Sequence, residues 1–328
     1  MRCFLVEQDS DMAIRQSVTD QPVELLPEGD LLVQVSWSSL NYKDALAVTD
    51  SSPVVRMWPM VPGIDLAGRV AESDRDDVPV GTPVVVNGWG LGETWWGGHA
   101  QRARVRGEWT VPVPEVFDTA QAMAIGTAGY TAMLCVLALE DHDVGPDSGP
   151  VLVTGASGGV GGVAVSLLAG LGYEVHASTG RPDGVGYLRA LGAAEVIDRG
   201  ELSEPSKRPL AAARWAGAVD AVGSHTLANV LAATSPGGCV VACGLAQGMD
   251  LSTSVAPFIL RGVTLRGVDS VTIPRPHRLM TWERLATDLD TDLLASMTST
   301  VSLEEVPGVS RELLAGRVRG RLVVDVNR

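Results

Sequence analysis

Cysteine is scarce in this chain, and its four copies are too scattered to form a disulfide framework or a metal-binding cluster. They are Cys3, Cys135, Cys239 and Cys243, and no two of them form a Cys-x-x-Cys pair. Cys239 and Cys243 lie in an apolar run typical of a strand, which would place them about 13 Å apart, too far for a disulfide. The spacing therefore predicts reduced thiols, as in a cytosolic protein, and excludes a structural zinc lobe.

Basic residues are also in deficit. The 25 lysines and arginines are outnumbered by 39 aspartates and glutamates, which gives a formal net charge of −14. Because a duplex-binding protein needs basic surface, we expect no nucleic-acid partner. The N-terminus reaches a charge too early for a signal peptide, and glycines interrupt the uncharged stretch 148–173. We therefore expect a cytoplasmic protein without a membrane partner.

Glycine, by contrast, is abundant, with 37 residues, and one glycine cluster follows an apolar run. Residues 151–161 read Val-Leu-Val-Thr-Gly-Ala-Ser-Gly-Gly-Val-Gly, and an apolar helical stretch follows them. A strand, a glycine-rich turn and a helix in this order present backbone N–H groups to a pyrophosphate. The alternative is a structural turn, but the order of elements and the second strand that follows favour nucleotide binding.

The end of the second predicted strand indicates which dinucleotide is bound. NAD-binding proteins usually carry an acid there for the ribose 2′-hydroxyl. Here the residues are Ser178, Thr179, Gly180 and Arg181. An acid would repel a 2′-phosphate, whereas arginine can bind it bidentately, so the sequence predicts NADPH. The alternative reading of Arg181 is a solvated arginine near a turn.

Two parts of the chain differ in pattern, and 328 residues suffice for two domains. The first 120 residues hold short apolar runs and turn signals, which predict an antiparallel β-domain, and 119–139 predicts a long apolar helix. After Pro150, strands and helices alternate, which predicts a doubly wound parallel sheet. The tail, with helix 279–288 and strand 321–326, is expected to return to the first domain. The predicted strands of the sheet are 151–154, 174–178, 194–197, 218–222, 239–243 and 263–268, and the helices between them are 160–171, 183–191 and 225–234.

Several segments together resemble the medium-chain dehydrogenase/reductase superfamily. The closer resemblance is to its zinc-free acryloyl-CoA reductase branch, whose members are often called quinone oxidoreductases. It implies an α/β fold with a GroES-like, β-rich catalytic domain of residues 1–121 together with 272–328, and a Rossmann NADPH-binding domain of residues 122–271. The segments that carry it are 38–46 (Ser-Ser-Leu-Asn-Tyr-Lys-Asp-Ala-Leu), 62–68 (Pro-Gly-Ile-Asp-Leu-Ala-Gly), the glycine-rich turn, 126–134, 215–218, 237–245 and 267–270.

The same resemblance implies the cofactor contacts. Tyr42 would contact the cofactor near the active site, and Thr179, Gly180 and Arg181 would hold the 2′-phosphate. The residues expected at the pyrophosphate are Ser157, Gly158, Gly159 and Val160, and those expected along the rest of the groove are Arg199, Leu245, Ile259 and Ser270.

No metal is expected. Zinc-dependent relatives place a cysteine near Asn41 and a histidine near Ile64, and neither asparagine nor isoleucine replaces those ligands. Hydride transfer onto a carbonyl normally needs a Lewis acid in this superfamily. The resemblance therefore favours a substrate that is activated by conjugation instead.

An enoyl thioester is such a substrate. Hydride adds to its β-carbon, negative charge develops on the thioester oxygen, and a proton must reach the α-carbon. The polar group Asn41, Tyr42, Lys43 and Asp44 is the candidate catalytic set, with Tyr42 as positioning group or proton donor and Asn41 and Asp44 orienting the nicotinamide or its ribose. Water could equally supply the proton. The group could also be a helix start capped by Asn41 or Asp44, and the two readings are compatible.

Three tryptophans, Trp89, Trp95 and Trp96, lie in the glycine-rich stretch 87–98 of a chain with only 5% aromatic residues. One interpretation is a narrow apolar wall that admits a short acyl chain. The other is packing of the β-domain.

The sequence thus predicts an NADPH-dependent oxidoreductase that reduces a short 2-enoyl-CoA, above all acryloyl-CoA, to the saturated acyl-CoA. One alternative is an NADPH-dependent quinone or enone reductase, which would be indifferent to the coenzyme A thioester. Another is a non-catalytic NADPH-binding protein. The resemblance also implies a homodimer, for which the predicted strand 263–268 could serve as the edge.

Overall fold

The computed structural model describes residues 1–206 and 208–328, and it divides into two compact units. The first unit comprises Met1–Thr127, Ser270–Ala286 and Leu294–Arg328, and the second comprises Ala128–Asp269 and Thr287–Leu293. The first unit is rich in strands and the second alternates strands with helices.

The first unit contains nine strands among the described residues. They are β1 (Arg2–Gln8), β2 (Ile14–Asp20), β3 (Leu31–Ser39), β4 (Asp65–Ser73), β5 (Pro83–Asn87), β6 (Arg102–Val105), β7 (Val111–Pro112), β14 (Thr298–Ser302) and β15 (Arg321–Asp325). Seven of them form a sheet with the order β14-β15-β3-β4-β5-β7, in which β6 also pairs with β3. Its strands pair antiparallel except for β14 with β15, which are parallel. A separate antiparallel pair joins β1 and β2. Branched aliphatic side chains such as Val33, Val84 and Val324 fill the core of this unit.

The helices of the first unit lie at its start and its end. They are α1 (Tyr42–Thr49), the first part of α2 (Thr119–Glu140), most of α8 (Arg275–Asp288), part of α9 (Thr291–Ser296), and α10 (Val306–Leu314). The predicted tail helix is confirmed, although it begins earlier than 279, directly after Pro274. The predicted final strand is confirmed as β15, in the sheet of the first unit.

The second unit contains a six-stranded sheet with the order β10-β9-β8-β11-β12-β13, and every pair in it is parallel. The order reverses between β8 and β11, as in a doubly wound fold. The predicted α/β architecture is therefore confirmed. The strands are β8 (Val151–Val153), β9 (Val175–Thr179), β10 (Glu195–Asp198), β11 (Trp215–Asp220), β12 (Thr234–Ala242) and β13 (Thr264–Gly267), and the helices are α3 (Gly159–Gly170), α4 (Val185–Ala190), α5 (Gly200–Ser203), α6 (Ser224–Ala233) and α7 (Ala256–Arg261).

Four of the predicted strands lie within one residue of the observed bounds at each end, whereas the other two begin well before the predicted start. Strand β11 begins at Trp215, whose ring is fully buried, rather than at 218. Strand β12 begins at Thr234 rather than 239, because Gly237 and Gly238 lie in a register irregularity within the strand and not in a turn before it. The strand ends at Ala242, so Cys243 lies beyond it and is half-buried, and all four cysteines are free.

Helix α2 is the one helix of the described chain that is long and apolar enough to cross a membrane. Its most apolar window is 83% buried within the protein, which is typical of a core helix. The helix is also interrupted, because Gly126 has φ 49° and ψ −160°. A residue with a side chain adopts that conformation only at a cost, so the kink depends on glycine.

Candidate functional site

The predicted polar group at 41–44 is the start of a helix. Asn41 is the N-cap of α1, and its backbone N–H donates to Asp44 Oδ2 at 2.8 Å. Tyr42 is the first helical residue, and 43% of it is exposed. The interpretation of a capped helix start is thus confirmed. The aspartate also stabilises the positive end of the helix.

A carboxylate that sequence reasoning missed, Asp65, lies beneath this helix start. It is the first residue of β4, and it is completely buried. Its two oxygens accept five hydrogen bonds, and this complete set of donors offsets the cost of burying the group. The donors are Ser39 Oγ, Asn41 Nδ2 at 2.9 Å, Asn87 Nδ2 at 3.1 Å, the Thr127 backbone N–H at 2.9 Å and Thr127 Oγ1.

Asp44 is buried beside this carboxylate. Its Oδ1 accepts the backbone N–H of Ile64 at 2.9 Å, and its Oδ2 accepts Asn41 Nδ2 at 3.1 Å. Burial, and then the neighbouring Asp65 carboxyl, raise the pKa of Asp44 to about 7, although the hydrogen bonds from Asn41 and Ile64 oppose the rise. A buried acid that changes protonation near neutral pH is typical of functional sites.

The positive charge of this cluster comes from the other end of the chain. Arg321, on β15, is 3% exposed, and its Nη1 donates to Asn41 Oδ1 at 3.1 Å. Its Nε donates to the Ala124 carbonyl at 2.7 Å and its Nη2 to the Met123 carbonyl at 3.4 Å. Burial lowers the pKa of Arg321, and the carboxyls of Asp65 and Asp44 oppose that effect.

The kink in α2 explains why these groups converge. In an unbroken helix the Met123 carbonyl would accept the N–H of Thr127. Here that N–H donates to Asp65, and the carbonyl accepts Arg321 instead. A Cβ on Gly126 would lie 2.7 Å from both Arg321 Nη2 and Asp65 Oδ2. The broken helix therefore supplies both a donor and an acceptor to the buried charges, and we call the whole set (Ser39, Asn41, Asp44, Asp65, Asn87, Thr127 and Arg321) the polar cluster.

The raised pKa of Asp44 predicts a specific pH dependence. Because the folded value of about 7 lies above the ordinary 3.8, the folded state binds this proton more tightly than the unfolded chain does. The stabilisation that the protonated Asp44 contributes to the folded state is therefore full below about pH 4, and it is lost as the pH rises to about 7. We expect the free energy of unfolding of wild type minus that of Asp44→Asn to fall across this window, as measured by urea titrations at several pH values.

The effect of His99 on the free energy of unfolding changes with pH in the opposite direction. It is the same in wild type and in Asp44→Asn, so it cancels in the difference between them. The pKa of His99 is lowered by burial to about 4, so its contribution is lost as the pH falls from about 6.5 to about 4 in both proteins. A difference that does not vary with pH would contradict the assignment to Asp44. His99 itself is fully buried, and its Nε2 lies 3.2 Å from the Ser39 carbonyl.

The tryptophans pack within the first unit. Trp89 stacks on Trp109 with ring centroids 6.0 Å apart, and Trp95 meets Trp109 edge-on at 5.0 Å. Trp96 donates its Nε1 to the Pro59 carbonyl at 2.9 Å. The packing interpretation is confirmed, while the apolar wall for an acyl chain stays a prediction.

In the second unit, the glycine-rich turn joins β8 to α3 as predicted. Gly158 is the N-cap of α3, and the first turn of that helix contains no acidic residue. A Cβ on Gly161 would lie 2.4 Å from the Gly155 carbonyl oxygen, so only glycine allows this close approach. The first N–H groups of a helix have no partner within it, and Gly159 and Val160 thus offer donors suited to an anion.

Five predicted cofactor residues converge beside this turn. Ser157 Oγ lies 2.8 Å from Thr179 Oγ1, and the Arg181 backbone N–H donates to the same Thr179 oxygen at 3.2 Å. A Cβ on Gly180 would lie 2.2 Å from Arg199 Nε. The side chain of Arg199 therefore lies directly over Gly180, and two hydroxyls and the Arg199 guanidinium lie at the end of β9, which Arg181 follows in the chain.

The remaining predicted cofactor residues are Leu245, Ile259, Ser270 and Tyr42. Leu245, which follows β12, lines a cavity of about 510 Å³ at the carboxyl ends of β12 and β13. Ile259 lies on α7 and is 72% exposed. Ser270 and Tyr42 belong to the first unit. Within residues 1–206 and 208–328, no group of three or more His, Cys, Asp or Glu side chains could hold a metal ion.

Two family models match the chain. The model of the alcohol dehydrogenase GroES-like domain matches residues 27–115, and the model named zinc-binding dehydrogenase matches residues 159–287. The first lies within the strand-rich unit and leaves out β1, β2, β14 and β15, and the second covers most of the unit with the parallel sheet.

Individual relatives match over nearly the full length. Acrylyl-CoA reductase AcuI of Ruegeria pomeroyi is 50% identical over 99% of this chain and 98% of its own. Putative quinone oxidoreductase YhfP of Bacillus subtilis is 44% identical over 92% of both chains, and a YhfP structure holds NAD. The crystal structure of Escherichia coli K-12 YhdH with bound NADPH superposes with a TM-score of 0.96, at 49% identity, over 99% of this chain and 100% of that one. This chain therefore belongs to the medium-chain dehydrogenase/reductase family.

Proposed function

We propose that this protein is an NADPH-dependent reductase of the conjugated double bond of a short 2-enoyl-CoA, above all acryloyl-CoA, which it converts to propanoyl-CoA. The observation that carries the proposal is the 50% identity with acrylyl-CoA reductase AcuI over 99% of the chain. The described residues include groups that such a reaction would use: a glycine-rich turn suited to an anion, two hydroxyls and the Arg199 side chain at the end of β9, and a buried polar cluster.

The residues of the second unit fit NADPH. Ser157, Gly158, Gly159 and Val160 form the turn and helix start that would hold the pyrophosphate, where the close approach of Gly161 to Gly155 leaves no room for a side chain. Thr179, Gly180 and Arg181 would hold the 2′-phosphate, and Arg199, which lies over Gly180, would line the adjoining part of the groove. Leu245, Ile259 and Ser270 would complete the groove. When bound, the cofactor supplies the hydride.

The first unit contributes the polar chemistry. Tyr42 presents an exposed phenol at the start of α1, where it would position the substrate or donate the proton to the α-carbon. Asn41 and Asp44 would orient the nicotinamide or its ribose, and their hydrogen bonds to Arg321, Asp65 and Ile64 hold the first turn of α1 in one geometry. We propose residues 1–121 with 272–328 as the catalytic domain and 122–271 as the cofactor domain.

The test is the loss of the near-ultraviolet absorbance of the reduced nicotinamide with acryloyl-CoA, in parallel with NADPH and NADH. We expect rapid oxidation of NADPH and slow oxidation of NADH. The matched control is an acryloyl ester without coenzyme A, which should react poorly.

The alternative function is favoured by the similarity to putative quinone oxidoreductase YhfP. Turnover of quinones with no turnover of acryloyl-CoA would mean that the substrate is a quinone. The fold and the cofactor would be unaffected by that result. Cofactor binding without turnover of any conjugated acceptor would support a non-catalytic NADPH-binding protein.

We further propose a cytoplasmic homodimer in which β13 pairs with β13 of a second copy. Within the part of the chain that the structure describes, β13 is an edge strand, and its Arg266 and Gly267 are exposed. An unpaired edge is a template for another strand. A monomeric mass by light scattering would overturn this assembly.

A further inference from the structure

One buried arginine of the first unit, Arg278, binds a run of backbone carbonyls. It lies on α8 and is 1% exposed. Its Nη2 donates to the carbonyls of Ser270 at 3.1 Å and Val271 at 2.6 Å. Its Nε donates to the Ile273 carbonyl at 3.0 Å, and its Nη1 to the Asn87 carbonyl at 2.8 Å. One guanidinium thus ties the segment 270–273 to the end of β5.

The same guanidinium lies over an aromatic ring. Its central carbon is 4.7 Å from the centroid of Trp89, a distance typical of a cation–π contact. Trp89 has a positive φ of 58°, so its backbone conformation is unusual for a residue with a side chain. Arg278 therefore contacts both the segment 270–273 and the first tryptophan of the glycine-rich stretch.

A second set of contacts joins these parts directly. The Val271 carbonyl accepts the backbone N–H of Trp89 at 3.3 Å as well as Arg278. Gly88 has φ 77°, and a Cβ on it would lie 3.0 Å from the Cα and the carbonyl oxygen of Val271. The segment thus lies against Gly88 and Trp89 with no space between them.

We propose that Arg278 is a positioning residue that sets both the affinity for the cofactor and the length of acyl chain that the enzyme accepts. This rests on the proposed function, in which Ser270 contacts the cofactor, and on the interpretation of Trp89 as part of an apolar wall beside the acyl chain. Because one planar group holds both, a shift of the Ser270 segment is also a shift of the Trp89 ring.

Only arginine fits this role. A guanidinium has five N–H donors in a rigid plane, and it can bind several carbonyls while stacking on a ring. A lysine ammonium keeps the charge but has three donors around one atom, so it cannot reach all four carbonyls and Trp89 together.

The test compares Arg278→Lys with Arg275→Lys. Arg275 lies on the same helix and donates its Nε to the Thr110 carbonyl at 3.1 Å, so the control loses a similar backbone contact elsewhere. For Arg278→Lys we expect the NADPH Kd, measured by fluorescence titration, to rise about tenfold, which is the loss of one charge-assisted hydrogen bond. We also expect the preference in kcat/KM for acryloyl-CoA over the four-carbon 2-enoyl-CoA to fall about tenfold. Arg275→Lys should leave both unchanged.

Gly88→Ala perturbs the contact of Val271 with Gly88 and Trp89 without changing Arg278. It therefore provides a second test if Arg278→Lys does not fold. Its added methyl meets Val271, and it should move the Kd and the chain-length preference in the same directions. If the soluble variants unfold at a lower temperature but keep the wild-type NADPH Kd and chain-length preference, Arg278 is only a structural clamp and the proposal is wrong.

The two proposals fail in different ways. If the wild type does not reduce acryloyl-CoA but binds NADPH, the proposed function fails, and the NADPH Kd of Arg278→Lys still decides whether this residue positions the cofactor segment. If the wild type reduces acryloyl-CoA and neither variant changes Kd or chain-length preference, only the role of Arg278 fails.

Discussion

Replacing Arg321 by methionine is expected to lower the free energy of unfolding by about 3–5 kcal/mol, the usual cost of leaving a buried charge without its compensating charge. Methionine has a similar length but no donors. It would leave the carbonyls of Met123 and Ala124 and the side-chain oxygen of Asn41 without the donor that each has now. It would also remove the positive charge that opposes Asp44 and Asp65.

Urea unfolding of Arg321→Met and of a matched control measures this loss. Arg317→Met is the control, because Arg317 precedes β15, is 61% exposed and pairs with Glu312. We expect the control to unfold close to wild type, since exposed ion pairs contribute little. In an Asp65→Asn background the Arg321→Met substitution should cost less than in the wild type, because part of the charge it balances is gone. Equal stability of Arg321→Met and wild type would refute the charge-compensation argument.

The second large effect is on the choice of cofactor. Arg181→Leu is expected to raise the NADPH Kd about 10- to 100-fold, the equivalent of about 1.5–3 kcal/mol for a hydrogen bond to a charged group. The Kd for NADH should stay within about twofold, because NADH has no 2′-phosphate for the arginine to bind. Fluorescence titration of each reduced cofactor against the wild type and the variant gives the four constants required.

Arg208→Leu controls for the loss of a positive charge. Arg208 is an exposed arginine of the second unit, outside the predicted cofactor residues, and its replacement should change neither constant. If Arg181→Leu weakens NADPH and NADH equally, Arg181 acts on a part that both cofactors share. If Arg181→Leu changes neither the NADPH Kd nor the NADH Kd, Arg181 does not bind the cofactor, and the alternative interpretation as a solvated arginine near a turn is correct.

The second unit was predictable because its signals are local. The apolar runs of β8 and β9, the glycine-rich turn between β8 and α3, and the polar strand end at Thr179 each lie within a few neighbouring residues. Where the predicted start of a strand was furthest from the observed one, at β12, a pair of glycines that usually marks a turn lies inside the strand.

The polar cluster was only half predictable. Asn41 and Asp44 are separated by one helical turn, and their residue types indicate a capped helix. Asp65 and Arg321 carry no such signal, because they meet through the pairing of β15 with β3 and through the kink at Gly126. The one available hint was the presence of Asp65 in the segment 62–68, which carried part of the family resemblance.

Strand β14 and the first turn of α8, both in the tail, were missed for a related reason. Strand β14 reads Thr-Ser-Thr-Val-Ser, which lacks the apolar alternation of a typical strand. It is held by its pairing with β15. Helix α8 contains a proline in its first turn, where proline is tolerated but where it also resembles a break.

The position of β15 has a consequence for biosynthesis. This strand follows the whole second unit in the sequence, yet it lies inside the sheet of the first unit, between β14 and β3, and it carries Arg321. Domains fold largely as they leave the ribosome, N-terminal parts first. The nascent first unit must therefore wait, with its buried carboxylates unbalanced and the end of β3, residues 37–39, without its β15 partner. Most of the second unit is by then already synthesised and free to fold. A truncation that removes β15 is expected to leave the second unit able to fold and the first unit unfinished.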